Sequence, residues 1–184
     1  MPYRNGTYIA FHADGTNVPG RSDIKYYNLM KAWTAKGDDD FTMINSHDKA
    51  CAVRDTSKRE TLRTSLLQRL RNSKNMVLIV GDTTRFARDW VPLEIKQAVD
   101  KYELPIIAAY TGYECITAPA ELRGLWPEAL ESRIYDETAR VIHIPFKKEP
   151  LKAAIDQFDL SNPPTGALNY YIRDAYVRWG LIER

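Results

Sequence analysis

Short apolar runs separated by stretches of helical periodicity set the limits on what this chain can fold into. The runs are Thr7–Phe11, Phe41–Asn45, Met76–Val80, Leu104–Ala109 and Val141–Ile144. Continuous apolar runs suit strands covered on both faces. Strands alternating with helices imply βαβ units and a parallel sheet. Right-handed crossovers then place helices on both faces. The expected fold is α/β: a flavodoxin-like, doubly wound, five-stranded parallel sheet.

The intervening segments carry helix signals. Ser22 or Asp23 caps a helix whose face includes Ile24, Tyr27, Met30 and Trp33. Ser57-Lys58-Arg59-Glu60 has the form of a capping box. Leu62, Leu66 and Leu70 follow it at intervals of four, with Leu67 alongside. Thr111–Ala129 reads as irregular, with a short helix around Ala120–Leu125, and Glu149–Leu160 as the last helix of the alternating pattern. These elements make residues 1–160 one α/β domain. Residues 161–184, around and after Asn162-Pro163-Pro164, read as a helical extension with Leu168, Tyr171, Ile172, Ala175, Tyr176 and Trp179 at helical spacing. Packing on its own domain is the favoured placement. A subunit contact in a homo-oligomer is the alternative, since aromatics are enriched at interfaces.

Composition narrows the class. With 184 residues, 44% hydrophobic and 27% charged, the chain suits a globular domain with a full core. A net charge of +2 makes no case for nucleic acid or an anionic membrane as partner. Cys51 and Cys115 are far apart and read as free thiols, which fits a reducing compartment. With no signal-peptide pattern at MPYRNGTYIAF and no membrane-length apolar run, a cytoplasmic location is the expectation.

The segment NMVLIVGDTTRFARDWVPLEIKQAV, residues 75–99, carries the most chemistry. It reads as a buried strand, a loop of Gly81, Asp82, Thr83 and Thr84, and a helix starting near Trp90. Pro92 falls in the first turn, where a missing N–H costs little. Glu94 lies one turn after Trp90, so the two share a face. That face sits at the carboxyl edge of the sheet, where ligand clefts form in open α/β folds. Two readings of Glu94 stand here: a carboxylate complementing the helix dipole, or a functional acid beside a cleft.

Other motifs are absent. The sequence contains no GxGxxG, GxxxxGK[ST] or GxSxG, and His12, His47 and His143 show no metal-ligand spacing. His143, in an apolar strand, reads as a satisfied core residue and His47 as solvated. Asp14 and Asp82 loosely suit a phosphoacceptor site at the ends of the first and third strands.

IAFHADG, in and after the first strand, and GDTTRFARDWVPLEI together resemble the TIR-like family that includes the Thoeris antiphage TIR protein. The segment LLQRLRNSKNMVLIV, with Ser73 before the third strand, fits as well. The resemblance covers roughly residues 7–160, which is domain-sized. Its departures are a long Gly- and Pro-containing first loop and a Tyr-rich tail. It implies a nucleotide pocket at the carboxyl strand ends, NAD+ as substrate with no further cofactor or metal, and Glu94 as the catalytic carboxylate. Phe11 and Trp90 would offer apolar or stacking surface, with core packing equally open for Phe11. His12, Asp14 and Ser46 would bind ribose or phosphate, or serve as turn and capping residues. Thr84 belongs to the Gly/Thr loop of the same motif. A carboxylate beside the ribose stabilises the oxocarbenium character that develops as nicotinamide leaves. Glu94 must be ionised for this, and a helix N-terminus favours that form. The resemblance further implies a cyclic ADP-ribose signal read by a separate effector, with a phage-derived trigger. A non-catalytic TIR-like interaction module and a nucleotide-binding or phosphoacceptor regulator are the competing classes.

Overall fold

A parallel sheet of order β2-β1-β3-β4-β5-β6 forms the centre of the molecule. The structure, a computed structural model, describes residues 4–13, 22–35, 43–44, 56–88 and 90–184. Its strands are β1 (Gly6–Ala10), β2 (Met43–Ile44), β3 (Ser73–Val80), β4 (Ile106–Tyr110), β5 (Val141–Pro145) and β6 (Asn169–Tyr170). Its helices are α1 (Ile24–Ala35), α2 (Thr56–Arg71), α3 (Trp90–Asp100), α4 (Glu128–Tyr135), α5 (Lys148–Gln157) and α6 (Arg173–Arg178). The first five strands form the expected flavodoxin-like arrangement, and all neighbouring strands pair in parallel.

Alternation along each strand splits the core in two. Tyr8, Ala10, Met76, Leu78, Val80 and Ile106 pack with apolar residues of α2, α3 and α4. Ile9, Phe11, Val77, Ile79, Ile107 and Ile142 pack with residues of α1 and α5. The helix stripes agree with their sequence signals: Leu62, Leu66 and Leu70 of α2 are buried, as are Tyr27 and Met30 of α1. Ser22 Oγ accepts a hydrogen bond from the Ile24 N–H at 3.3 Å, so Ser22 provides the side-chain contact at the start of α1. Asp23 turns its carboxylate elsewhere.

Several expectations need correction. Helix α2 begins at Thr56, which places Ser57 inside it and not at its cap. Helix α4 is absent from the sequence reading because only Leu130 and Ile134 mark its buried stripe. The short helix near Ala120–Leu125 is a 3-10 segment, Pro119–Leu125. The tail is not one helical run: Asn169–Tyr170 pairs with Ile142–His143 as a sixth strand, and helix begins at Arg173. Backbone pairing with an open sheet edge outweighs the helical spacing of the tail's apolar residues.

The tail also breaks the expected handedness. From β3 to β6 the chain steps across the sheet in one direction. Helices α3 and α4 cover one face during this walk and α5 the other. The β5–α5–β6 crossover therefore has the opposite hand to the two before it. Right-handed crossovers follow from strand twist, and a two-residue strand imposes little of it. Beyond the pairing, the Val141 N–H donates to Gly166 O at 3.0 Å and Tyr176 Oη to Ile116 O at 3.0 Å. Among the described residues no helix is long and apolar enough to cross a membrane.

Candidate functional site

The strand order reverses between β1 and β3, and in open α/β sheets the ligand crevice lies outside the carboxyl ends at such a point. Helix α3 starts beside this edge with Trp90, a half-buried indole packed against the core. The Arg59 guanidinium of α2 stands over that ring, 5.6 Å from its centroid. Glu94 follows one turn later on the buried face of α3, together with Val91, Ile95 and Ala98.

Glu94 is only 1% exposed. The Tyr8 hydroxyl of β1, itself fully buried, donates a 2.6 Å hydrogen bond to Glu94 Oε1. Burial pushes the Glu94 carboxyl up to about 7, and the Tyr8 bond opposes that rise. The helix N-terminus is expected to favour the ionised form of Glu94; desolvation pushes the other way and prevails. The group therefore changes charge near neutrality.

A second cluster lies at the same edge. Thr84 opens a 3-10 turn after β3 and is fully buried. Its Oγ1 accepts from the Gly81 N–H at 2.8 Å and donates to Asp23 Oδ2 at 2.9 Å. Burial raises the Asp23 carboxyl above the ordinary aspartate value, against the Thr84 bond and the nearby His12. A Cβ on Gly81 would lie 2.0 Å from Asp23 Oδ1, so only glycine leaves room for this carboxylate. His12 Nδ1 is 3.1 Å from Thr83 Oγ1. Ser22, Asp23, Lys25, Tyr26, Asp82, Thr83 and Thr111 line a small cleft here.

The sequence-derived residues thus separate. Phe11 is 1% exposed and stacks on Tyr27 with centroids 4.9 Å apart, in the α1/α5 half of the core. Glu94 lies on the face of α3 turned to the opposite half. His12 and Thr84 join the Asp23 cluster, with Thr84 enclosed as the bridge between Asp23 and Gly81. Trp90 and Glu94 share the start of α3 as expected. Asp14 and Ser46 lie outside the described residues, as do His47 and Cys51. Two residues escaped the sequence reading. Asp23 read only as a helix cap. Tyr8 read only as strand, although its parity, opposite to that of Phe11, is the signal that it faces α3.

No group of three or more His, Cys, Asp and Glu side chains among the described residues is placed to hold a metal ion. The parallel order of the first five strands, with helices on both faces, is that of a flavodoxin-like α/β domain. The family model described as Thoeris protein ThsB, TIR-like domain, matches residues 8–114. The match spans more than half of the 184 residues, and the chain belongs to this family.

Proposed function

We propose that this protein is an NAD+ glycohydrolase or cyclase of antiphage defence, with Glu94 as its catalytic carboxylate. The observation that carries the reading is one ionisable carboxylate held by Tyr8 at the start of α3, beside the β1/β3 edge, in a chain of the Thoeris TIR-like family. In this reaction the bond between ribose C1′ and the nicotinamide nitrogen breaks. Its electron pair goes to nicotinamide, which departs neutral. The ribose carries developing positive charge, which an ionised Glu94 stabilises and whose hydroxyls it orients. Water attacking C1′ gives ADP-ribose and a proton. Attack by an adenine nitrogen or a ribose hydroxyl of the same molecule gives a cyclic isomer one water lighter. NAD+ is the substrate, and the chemistry calls for no further cofactor.

Trp90 would offer its indole to the nicotinamide or adenine ring. His12 and the Asp23 cluster line the same edge and suit ribose hydroxyls. Glu94 is enclosed, so neighbouring side chains must part before a ribose reaches it. This fits an enzyme silent at rest and opened by a phage-derived trigger or by assembly, its product read by a separate effector.

The same enclosure favours one second reading, a non-catalytic TIR-like module in which Glu94 is structural. Mass-resolved chromatography of NAD+ incubated with wild type and Glu94→Gln, with and without lysate from infected cells, separates the two. The enzyme reading expects nicotinamide release by the wild type alone. Equal release by both proteins, or none from the wild type in either condition, supports the module.

A further inference from the structure

The geometry points to Tyr8 as the positioning residue that fixes the direction of the Glu94 carboxylate and favours its ionised form. Its relevance to NAD+ cleavage rests on the function proposed above; its action on Glu94 does not. Tyr8 occupies the middle of β1, paired with Ile44 on one side and Met76 on the other. A strand paired on both edges holds its side chains in register. The ring sits in the same apolar cluster as Val91, Ile95 and Ala98 of α3. Its hydroxyl therefore meets Oε1 from a fixed direction, at the 2.6 Å expected when the acceptor is charged. Such a bond favours the ionised carboxylate over the acid.

Charged and titratable groups stand on the elements packed around α3. Tyr8 comes from β1, and Arg59 of α2 sits over Trp90. Tyr110 of β4 lies in the same cluster, and the Asp100–Arg133 pair joins the far end of α3 to α4. Among these, Tyr8 donates directly to the carboxylate.

Tyr8→Phe keeps the ring and deletes the donor. The test is carbon NMR titration of the full chain labelled at the glutamate carboxyl carbons, with Glu94→Gln assigning the signal. The Glu94 midpoint should rise by roughly one to two pH units in Tyr8→Phe. In parallel, nicotinamide release at pH 7 should fall about five- to fifty-fold through kcat, recover toward pH 9, and leave KM nearly unchanged. A merely structural tyrosine would lower stability without moving the midpoint. An unmoved midpoint in a folded Tyr8→Phe overturns the proposal. Should Tyr8→Phe not fold, Tyr8→Leu, which stays apolar and carries no donor, replaces it under the same criterion. A moved midpoint upholds the proposal even where the wild type releases no nicotinamide, and that second result would overturn the NAD+ reading alone.

Discussion

Two buried polar centres, each built around a tyrosine, behave in opposite ways. In the first, Tyr8 donates to Glu94. In the second, the Trp126 indole N–H donates to Tyr110 Oη at 2.7 Å, and Tyr110 in turn lies 2.7 Å from His143 Nδ1. His143 Nε2 is 2.9 Å from Ala167 O. A carbonyl only accepts, so Nε2 carries the proton, Nδ1 accepts, and Tyr110 is the donor. Burial lowers His143 to about 4, leaving it neutral across the working range. Glu94, raised to about 7, is the centre that changes charge there. Burial is common to both centres; they differ in whether a charge is at stake near neutral pH. A closed chain of matched neutral donors and acceptors fastens the tail through Ala167. A buried carboxylate bonded to a tyrosine hydroxyl and raised toward neutrality has the character expected of a reactive acid.

The largest break in this comparison is Glu94→Gln, expected to reduce nicotinamide release at least a hundredfold, by chromatography, while circular dichroism stays native. Tyr110→Phe should do the reverse. It strands the Trp126 and His143 nitrogens and costs about 2–4 kcal/mol in urea unfolding, with no shift in the pH dependence of any activity.

Stability against pH sharpens the comparison further. Glu94 has a folded pKa above its unfolded value of 4.5, so the native state holds the extra proton between about 4.5 and 7. Its contribution to stability is present below 4.5 and is lost as pH rises through 7. His143 has a folded pKa of about 4 against 6.5 unfolded, so its contribution is present above 6.5 and lost as pH falls through 4. Each contribution is on the order of 3 kcal/mol. Unfolding of Glu94→Gln should lack the first slope and keep the second, and His143→Gln should show the converse. The smallest effect is expected from His12→Ala. Loss of its half-buried bond to Thr83 should cost about 0.5–1 kcal/mol by the same unfolding assay.

The sheet was legible because buried parallel strands carry uninterrupted apolar runs, as at Met76–Val80, and because Trp90 and Pro92 mark a helix start. The tail was not. Leu168, Tyr170 and Ile172 alternate with period two, while Leu168, Tyr171 and Ala175 fit a helix. Over so few residues both periods coexist, and the open edge of β5 decides between them. The Tyr8–Glu94 bond joins residues 86 apart in sequence. It becomes visible only after the faces of β1 are assigned, which also separates Phe11 from Glu94. Asp23 illustrates another limit. An acid before a helix reads as a cap, yet its carboxylate is turned to Thr84 by a contact 61 residues away.

The rate of nicotinamide release from NAD+ between pH 5.5 and 8.5, measured with lysate from infected cells for wild type and Glu94→Gln, decides whether Glu94 acts as the proposed carboxylate. The wild-type rate should climb with pH as Glu94 ionises, while the variant stays at a flat baseline. A variant that keeps the wild-type rate, or a wild-type rate that falls as pH rises through 7, would contradict that role.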